Sequence, residues 1–221
     1  REMRDRIADC KLRAFVVRTT LDLNVPSVIG VLFDPAARIP MVTFGAAANL
    51  DEERAALKAL EEAVMMRLTT RNLLSQKDPS ELLQFSNIRR LSDRALLYSL
   101  PAMLPAYQFL LTPSRVVHSA PDGNQPPSTP SEQLALCLRL LSANHLDPIV
   151  VDVTTEELKA LGFYVVRVVI PHMIRLNVDC DGRPLGAKRI YEAPLKLGLC
   201  RGRWSISQYG MYSIKGTYIS G

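Results

Sequence analysis

The sequence predicts an α/β fold of mixed β-sheets with packed helices. Three observations carry that prediction. Two apolar, strand-like runs, 25–33 (VPSVIGVLF) and 40–44 (PMVTF), flank the turn dipeptide Asp34-Pro35. A charged segment with helical spacing follows them, after Gly45 and three alanines. Further on, 146–171 alternates an apolar run, a helical stretch and a second apolar run. The 221 residues, 48% hydrophobic and 22% charged, have an ordinary globular composition, and their number suits one large domain or two small ones.

Residues 1–9 read as the end of a helix, and 11–19 (KLRAFVVRT) have a strand-like centre at 14–17. Pro26 fits a strand's beginning, where it removes no ladder bond. The long helix begins near Asn49, an N-cap candidate with Glu52 three residues on, the spacing of a capping box. It fades near Leu74. On a helical wheel Leu57, Leu60, Val64 and Leu68 form the apolar stripe expected to face the core. Lys58, Glu62 and Met65 lie on a neighbouring face, with Lys58 and Glu62 spaced as an i, i+4 ion pair.

Residues 77–94 read as irregular, with one helical turn near 80–84, and Pro101 and Pro105 break any helix within 96–111. The stretch 120–131 holds four prolines and a glycine, which marks a long surface loop or the seam between two lobes. A helix is expected over 132–143, with Leu134, Leu138 and Leu141 on one face. Strands follow at 149–153 and 163–170. Between them Thr154 or Thr155 caps a helix that stops at Gly162. This order suggests a crossover unit with parallel strands.

Composition narrows the function classes. The net charge is +5, but lysines and arginines are scattered and no basic run interleaves with aromatics, so no nucleic-acid partner is expected. A basic balance would help attract a nucleotide or an acidic peptide. Cys10, Cys137, Cys180 and Cys200 form no C-x-x-C pair and read as reduced thiols of a cytoplasmic protein. The longest apolar run, 163–170, is interrupted by Arg167 and too short for a bilayer, so no membrane partner is expected. The opening REMRDR has no apolar signal segment and no initiator methionine, so the chain is expected to be part of something longer.

Individual candidates are few. Asn177, Asp179, Asp181 and Gly182 have the opening spacing of an EF-hand, but Pro184 breaks the loop and Lys188 stands where a bidentate glutamate is needed, so no metal site is assigned. His118, His145 and His172 share no ligand spacing. Asp152, at a strand's C-terminal end, suits either chemistry or the cap of the next helix. Arg167, inside an apolar strand, calls for a carboxylate partner.

Several stretches together resemble the YcaO family. TFGAAANLD (43–51) and AALKALEEAVMMR (55–67) look like its phenylalanine–glycine–alanine step and the helix A-L-x-R-A-L-T-E-x-x-Q. LDLNVP (21–26) is similar to its aspartate-then-proline segment, and DRALLYSLPAMLPAYQFLL (93–111) to its D-H-x-x-Y segment, with Arg94 where histidine is common. LDPIVVDVTTEELKALGFYVVRVVIP (146–171) resembles its G-x-x-x-x-V-V-D-x-T and V-V-R-V-V-x-P strands, and RPLGAKRIYEAP (183–194) its L-G-x-R-R-Y segment. The resemblance implies that 1–221 is the C-terminal portion of a YcaO-like domain, with mixed β-sheets and packed helices.

By that resemblance Lys58 stands at a functional arginine near nucleotide phosphates, Glu62 at the helix glutamate, Met65 at the usual glutamine and Arg67 at a basic residue near the helix end. Lysine keeps the charge but loses the bidentate fork, and methionine removes a hydrogen-bonding group. Lys58, Glu62 and Arg67 are the implied cofactor-binding residues. The implied cofactors are ATP and Mg2+, with the metal-binding carboxylates upstream of this chain. The implied activity is ATP-dependent cyclodehydration of Cys, Ser or Thr to azolines in a ribosomally made precursor peptide, through phosphorylation of the backbone amide, as in bacteriocin biosynthesis. The implied partners are the precursor peptide, a leader-binding E1-like protein and a flavin-dependent dehydrogenase, in a homo-oligomer or hetero-complex. The competing expectation is a degenerate subunit that binds precursor peptide or a partner enzyme without catalysing.

Overall fold

The computed structural model describes residues 2–76, 78–83, 87–111, 126–174 and 185–198. The first part of the proline-rich loop, His118, Cys180, Cys200, the EF-hand-like turn at 177–182 and the tail from 199 lie outside them.

Helix α1 (Glu2–Asp9) leads into an antiparallel meander of β1 (Arg13–Arg18), β2 (Ser27–Phe33) and β3 (Val42–Ala48). Its register sets Val16 opposite Gly30 and Gly30 opposite Gly45. The strand predicted to end at Phe44 continues through Gly45 and the three alanines, which pair with 27–30 of β2. Alternation then separates two faces. Val28, Leu32 and Ala47 look towards α2 (Glu52–Leu74), whereas Ile29, Val31, Val42 and Phe44 look away from it.

Helix α2 starts later than predicted, and a different residue caps it. Asp51 accepts hydrogen bonds from the Glu53 and Arg54 amides at 3.0 and 3.2 Å. Asn49 instead accepts from the Asp51 amide, which turns the chain out of β3. The face that packs also differs. Ala55, Ala59 and Ala63 are buried, while Leu57 and Leu68 of the predicted stripe are 49% and 55% exposed.

The glycines explain this. A Cβ placed on Gly45 would lie 2.2 Å from the Ala59 carbonyl oxygen, and one on Gly30 would lie 2.6 Å from the Ala59 carbonyl carbon. The helix therefore rests on strand backbone, and only alanine fits the gap. At about 1.5 Å per residue α2 is about 34 Å long and outruns the seven-residue strands, about 23 Å. Its end overhangs the sheet, so Leu73 and Leu74 reach the core on the opposite face.

That core is closed by a 3₁₀ turn (Pro79–Leu83), α3 (Leu91–Tyr98), a second 3₁₀ turn (Pro101–Met103) and α4 (Leu104–Leu111). The break at Pro101 falls where the sequence puts it, whereas Pro105 sits in the first turn of α4, where its missing N–H interrupts nothing. Leu82, Leu96, Leu97 and Tyr107 are buried against Val31 and Val42, and Tyr107 meets Phe44 edge to face at 5.7 Å. Burial pushes the Tyr107 phenol up to about 12. Asp93, in the segment that resembles D-H-x-x-Y, accepts from the Arg89 and Arg90 amides at 3.0 and 2.9 Å and so starts α3.

The remaining elements are α5 (Pro130–Ser142), β4 (Ile149–Asp152), α6 (Glu156–Ala160), β5 (Val166–Val169) and α7 (Arg189–Lys196). A Thr129–Glu132 capping box opens α5. Strands β4 and β5 pair antiparallel, which corrects the expected parallel crossover. The five residues of α6 are too few to carry the chain across a sheet. Thr154 closes the unit instead: its Oγ1 accepts from the Val165 amide at 2.9 Å while the Val153 amide donates to the Val165 carbonyl at 3.0 Å. Every residue of β4 and β5 is exposed, as are Leu134 and Leu138 of α5. Arg167, opposite Val151, therefore reaches water and needs no carboxylate. Arg189 of α7 is ion-paired with Asp22, ahead of β2, which joins two segments of family-like sequence.

Candidate functional site

The site residues named by the sequence all lie on α2, but they do not converge. At about 100° per residue Lys58 and Glu62 share one side, whereas Arg67 lies about 140° around from Glu62. Where α2 crosses β3, the close approach at Gly45 brings the Glu62 side chain to the strand. Its Oε2 accepts the Ala46 amide proton at 2.7 Å. The i, i+4 ion pair expected between Lys58 and Glu62 does not form, because the carboxylate is turned to that amide. Lys58 is exposed and makes no hydrogen bond or ion pair among the described residues. Met65, one turn on, is 62% exposed.

Arg67 belongs to a second constellation, which the sequence did not reveal. Asp34, read only as a turn residue, is fully buried. Its Oδ2 accepts from Arg38 Nε at 2.8 Å and Arg67 Nη2 at 3.3 Å, and its Oδ1 accepts from the Ala36 amide at 3.0 Å. Arg67 Nη1 also donates to the Pro40 carbonyl at 2.6 Å, so the guanidinium clamps the β2–β3 turn to the helix. Its side chain is only 15% exposed. Burial holds its pKa below the usual arginine value. Asp34 opposes that shift, and the neighbouring Arg71 and Arg38 cations reinforce it.

The clamp forms one wall of a groove of about 1120 Å³ between α1, the β2–β3 turn and α2. Glu61, Met65 and Arg67 line it; Lys58 and Glu62 do not. Asp152, given two readings above, makes a local turn. It accepts from the Thr154 amide and hydroxyl, the hydroxyl bond being the larger cause of its lowered pKa. His145 and His172 are exposed turn residues with positive φ.

Among the described residues no three His, Cys, Asp or Glu side chains form a group that could hold a metal ion. By themselves Lys58, Glu62 and Arg67 do not make a magnesium–nucleotide cage: they bring two cations and one carboxylate, and Pro40 and Asp34 already hold the Arg67 guanidinium. None of their helices is long and apolar enough to cross a membrane.

Comparison with known proteins places this architecture. No curated protein matches the chain. Among solved structures, a heterocyclase in complex with substrate and cofactor aligns with a TM-score of 0.68 at 21% identity, over 94% of this chain and 25% of that one. The heterocyclase TruD aligns with a TM-score of 0.61 at 21% identity, over 94% of this chain and 26% of that one. The chain thus spans about a quarter of the length of these solved chains and shares their fold. The model of the family described as YcaO cyclodehydratase, ATP- and Mg2+-binding, matches residues 1–174. With the heterocyclase-like fold and most of its length matched, the chain belongs to the YcaO family.

Proposed function

We propose that this chain forms part of an ATP-dependent cyclodehydratase that converts Cys, Ser or Thr of a precursor peptide to azolines. The observation that carries this reading is the family match over 1–174, which includes the whole of α2. Lys58 and Glu62 are the residues proposed to face the nucleotide. Lys58 would offset phosphate charge, and Glu62, held by the Ala46 amide, would keep its carboxylate in place beside it. Arg67, proposed for the same site from sequence, would act by fixing the β2–β3 turn against the helix, since Asp34 and Pro40 already take its donors. The metal-binding carboxylates would come from polypeptide outside this chain, as would the E1-like and flavin-dependent partners.

A second reading, a non-catalytic subunit that binds peptide or a partner enzyme, has its own support. Lys58 lies outside the groove between α1 and α2, and Met65 presents an exposed apolar group where the resemblance to the family puts a hydrogen-bonding one. Nucleotide binding separates the two. The complete native protein is heated with and without ATP and Mg2+, where ligand at a hundred times its Kd adds about 2.7 kcal/mol of stability. A rise in melting temperature that Lys58→Ala abolishes and Arg71→Ala preserves supports the cyclodehydratase. No rise supports the binding subunit.

A further inference from the structure

We propose that the groove between α1 and α2 docks an acidic peptide segment with apolar side chains. The proposal concerns a surface separate from Lys58 and Glu62, and it stands whether or not the protein binds nucleotide.

Charge is the first argument. Arg6, Lys11, Arg38, Arg67 and Arg71 line the groove, against Asp9 and Glu61. Three of the guanidiniums crowd together: Arg71 and Arg38 each disfavour the charged form of Arg67, and of the three buried Asp34 bonds Arg38 and Arg67 but not Arg71. Arg71 and Lys11 have no ion pair among the described residues. An incoming carboxylate would relieve that like-charge crowding, and Arg71 has donors free to grip it.

The floor is the second argument. Ile7, Leu12, Leu32 and Val64 lie at the bottom, with Ile39 and Leu68 on the margins, both about half exposed. A free inorganic anion would leave this surface wet, whereas apolar side chains would cover it at about 25 cal/mol per Å². The lining contains no aromatic residue for a base to stack on, which disfavours single-stranded nucleic acid. A peptide with acidic and apolar residues meets both requirements.

The test uses the complete native protein and three labelled 15-residue peptides, followed by fluorescence anisotropy. One alternates Glu with Leu and Ile, one replaces each Glu by Lys, and one replaces each Leu and Ile by Ser. The first is expected to bind at least tenfold more tightly than the other two, and its affinity to fall as salt rises. Lys11→Glu with Arg71→Glu is expected to weaken it at least tenfold without lowering the melting temperature, because both residues are exposed and the reversal removes a repulsion on Arg67. Leu68→Asp is expected to weaken it as well. Equal binding of the Lys peptide, or no loss in the charge-reversed variant, overturns the proposal. Equal binding of the Ser peptide overturns it in favour of a simple anion site, and no binding of any peptide overturns it outright.

Discussion

At the scale of residues, Asp34 is a buried charge held from several sides. It is fully buried and neutralises two arginines that approach from different elements. Asp34→Asn keeps the shape but leaves Arg67 facing a neutral amide in a site with little water. The expected loss is about 3 kcal/mol, less than a fully enclosed pair would give because Arg38 is largely exposed; a urea titration measures it. Glu62 poses a different question, because it bonds one amide and carries one charge. Glu62→Gln retains an acceptor for the Ala46 amide, so its melting temperature should stay within about 2 °C of the native value. Under the cyclodehydratase reading its ATP-induced stabilisation should disappear. Glu52 gives a pH signature. Arg18 donates to it at 2.7 and 2.6 Å and holds its carboxyl below the ordinary 4.5, against a smaller opposing effect of burial. A depressed carboxyl stabilises the fold above its unfolded pKa, and that contribution is lost as pH falls through the folded value. The native advantage over Glu52→Gln, under about 1 kcal/mol for so exposed a pair, should fade as pH drops below about 4.5 in paired urea titrations.

At the scale of elements, the helix–sheet contact decides the architecture. Gly45→Ala would drive a methyl into the Ala59 carbonyl, the Ala63 amide and the Glu62 Cβ, none of which is the far end of a flexible chain. It should cost on the order of 3 kcal/mol or more, whereas Gly186→Ala, with nothing within 4 Å, should be neutral within about 0.5 kcal/mol; melting curves compare them. This contact also shows what sequence reading could reach. The centre of β1, the long helix and the break at Pro101 were legible, because proline chemistry and apolar runs are local signals. The buried face of α2 was not. Leucines dominate any apolar pattern, while alanine packed on glycine leaves almost no trace in it, and pairing Gly30 with Gly45 requires the register. The antiparallel pairing of β4 and β5 depends on Thr154 bonding Val165, a non-local event. Part of the candidate site was equally hidden: Lys58, Glu62 and Arg67 stand out by resemblance, but the contact of Arg67 with Asp34 spans 33 positions of sequence.

At the scale of the whole molecule, stability is unevenly spread. The central strand β2 is covered by helices on both faces, whereas β4 and β5 are exposed on both. A two-stranded ribbon without a covering layer is marginal in water. In hydrogen exchange the Val31 and Leu32 amides should be protected by the full unfolding free energy, and those of Val151 and Val168 should exchange orders of magnitude faster. The apolar residues of β4 and β5 are each about half exposed among the described residues, which leaves much of their surface for a further layer to cover.

The same ribbon has an outcome for samples kept at high concentration. Among the described residues its outer edges meet no third strand, and the stretches IVVDV (149–153) and FYVVRVVI (163–170) contain no proline or glycine to interrupt growth. Handled without covering partners, the protein should seed cross-β fibrils that brighten thioflavin T, and a lysine gatekeeper at Val168 should lengthen the lag before they form.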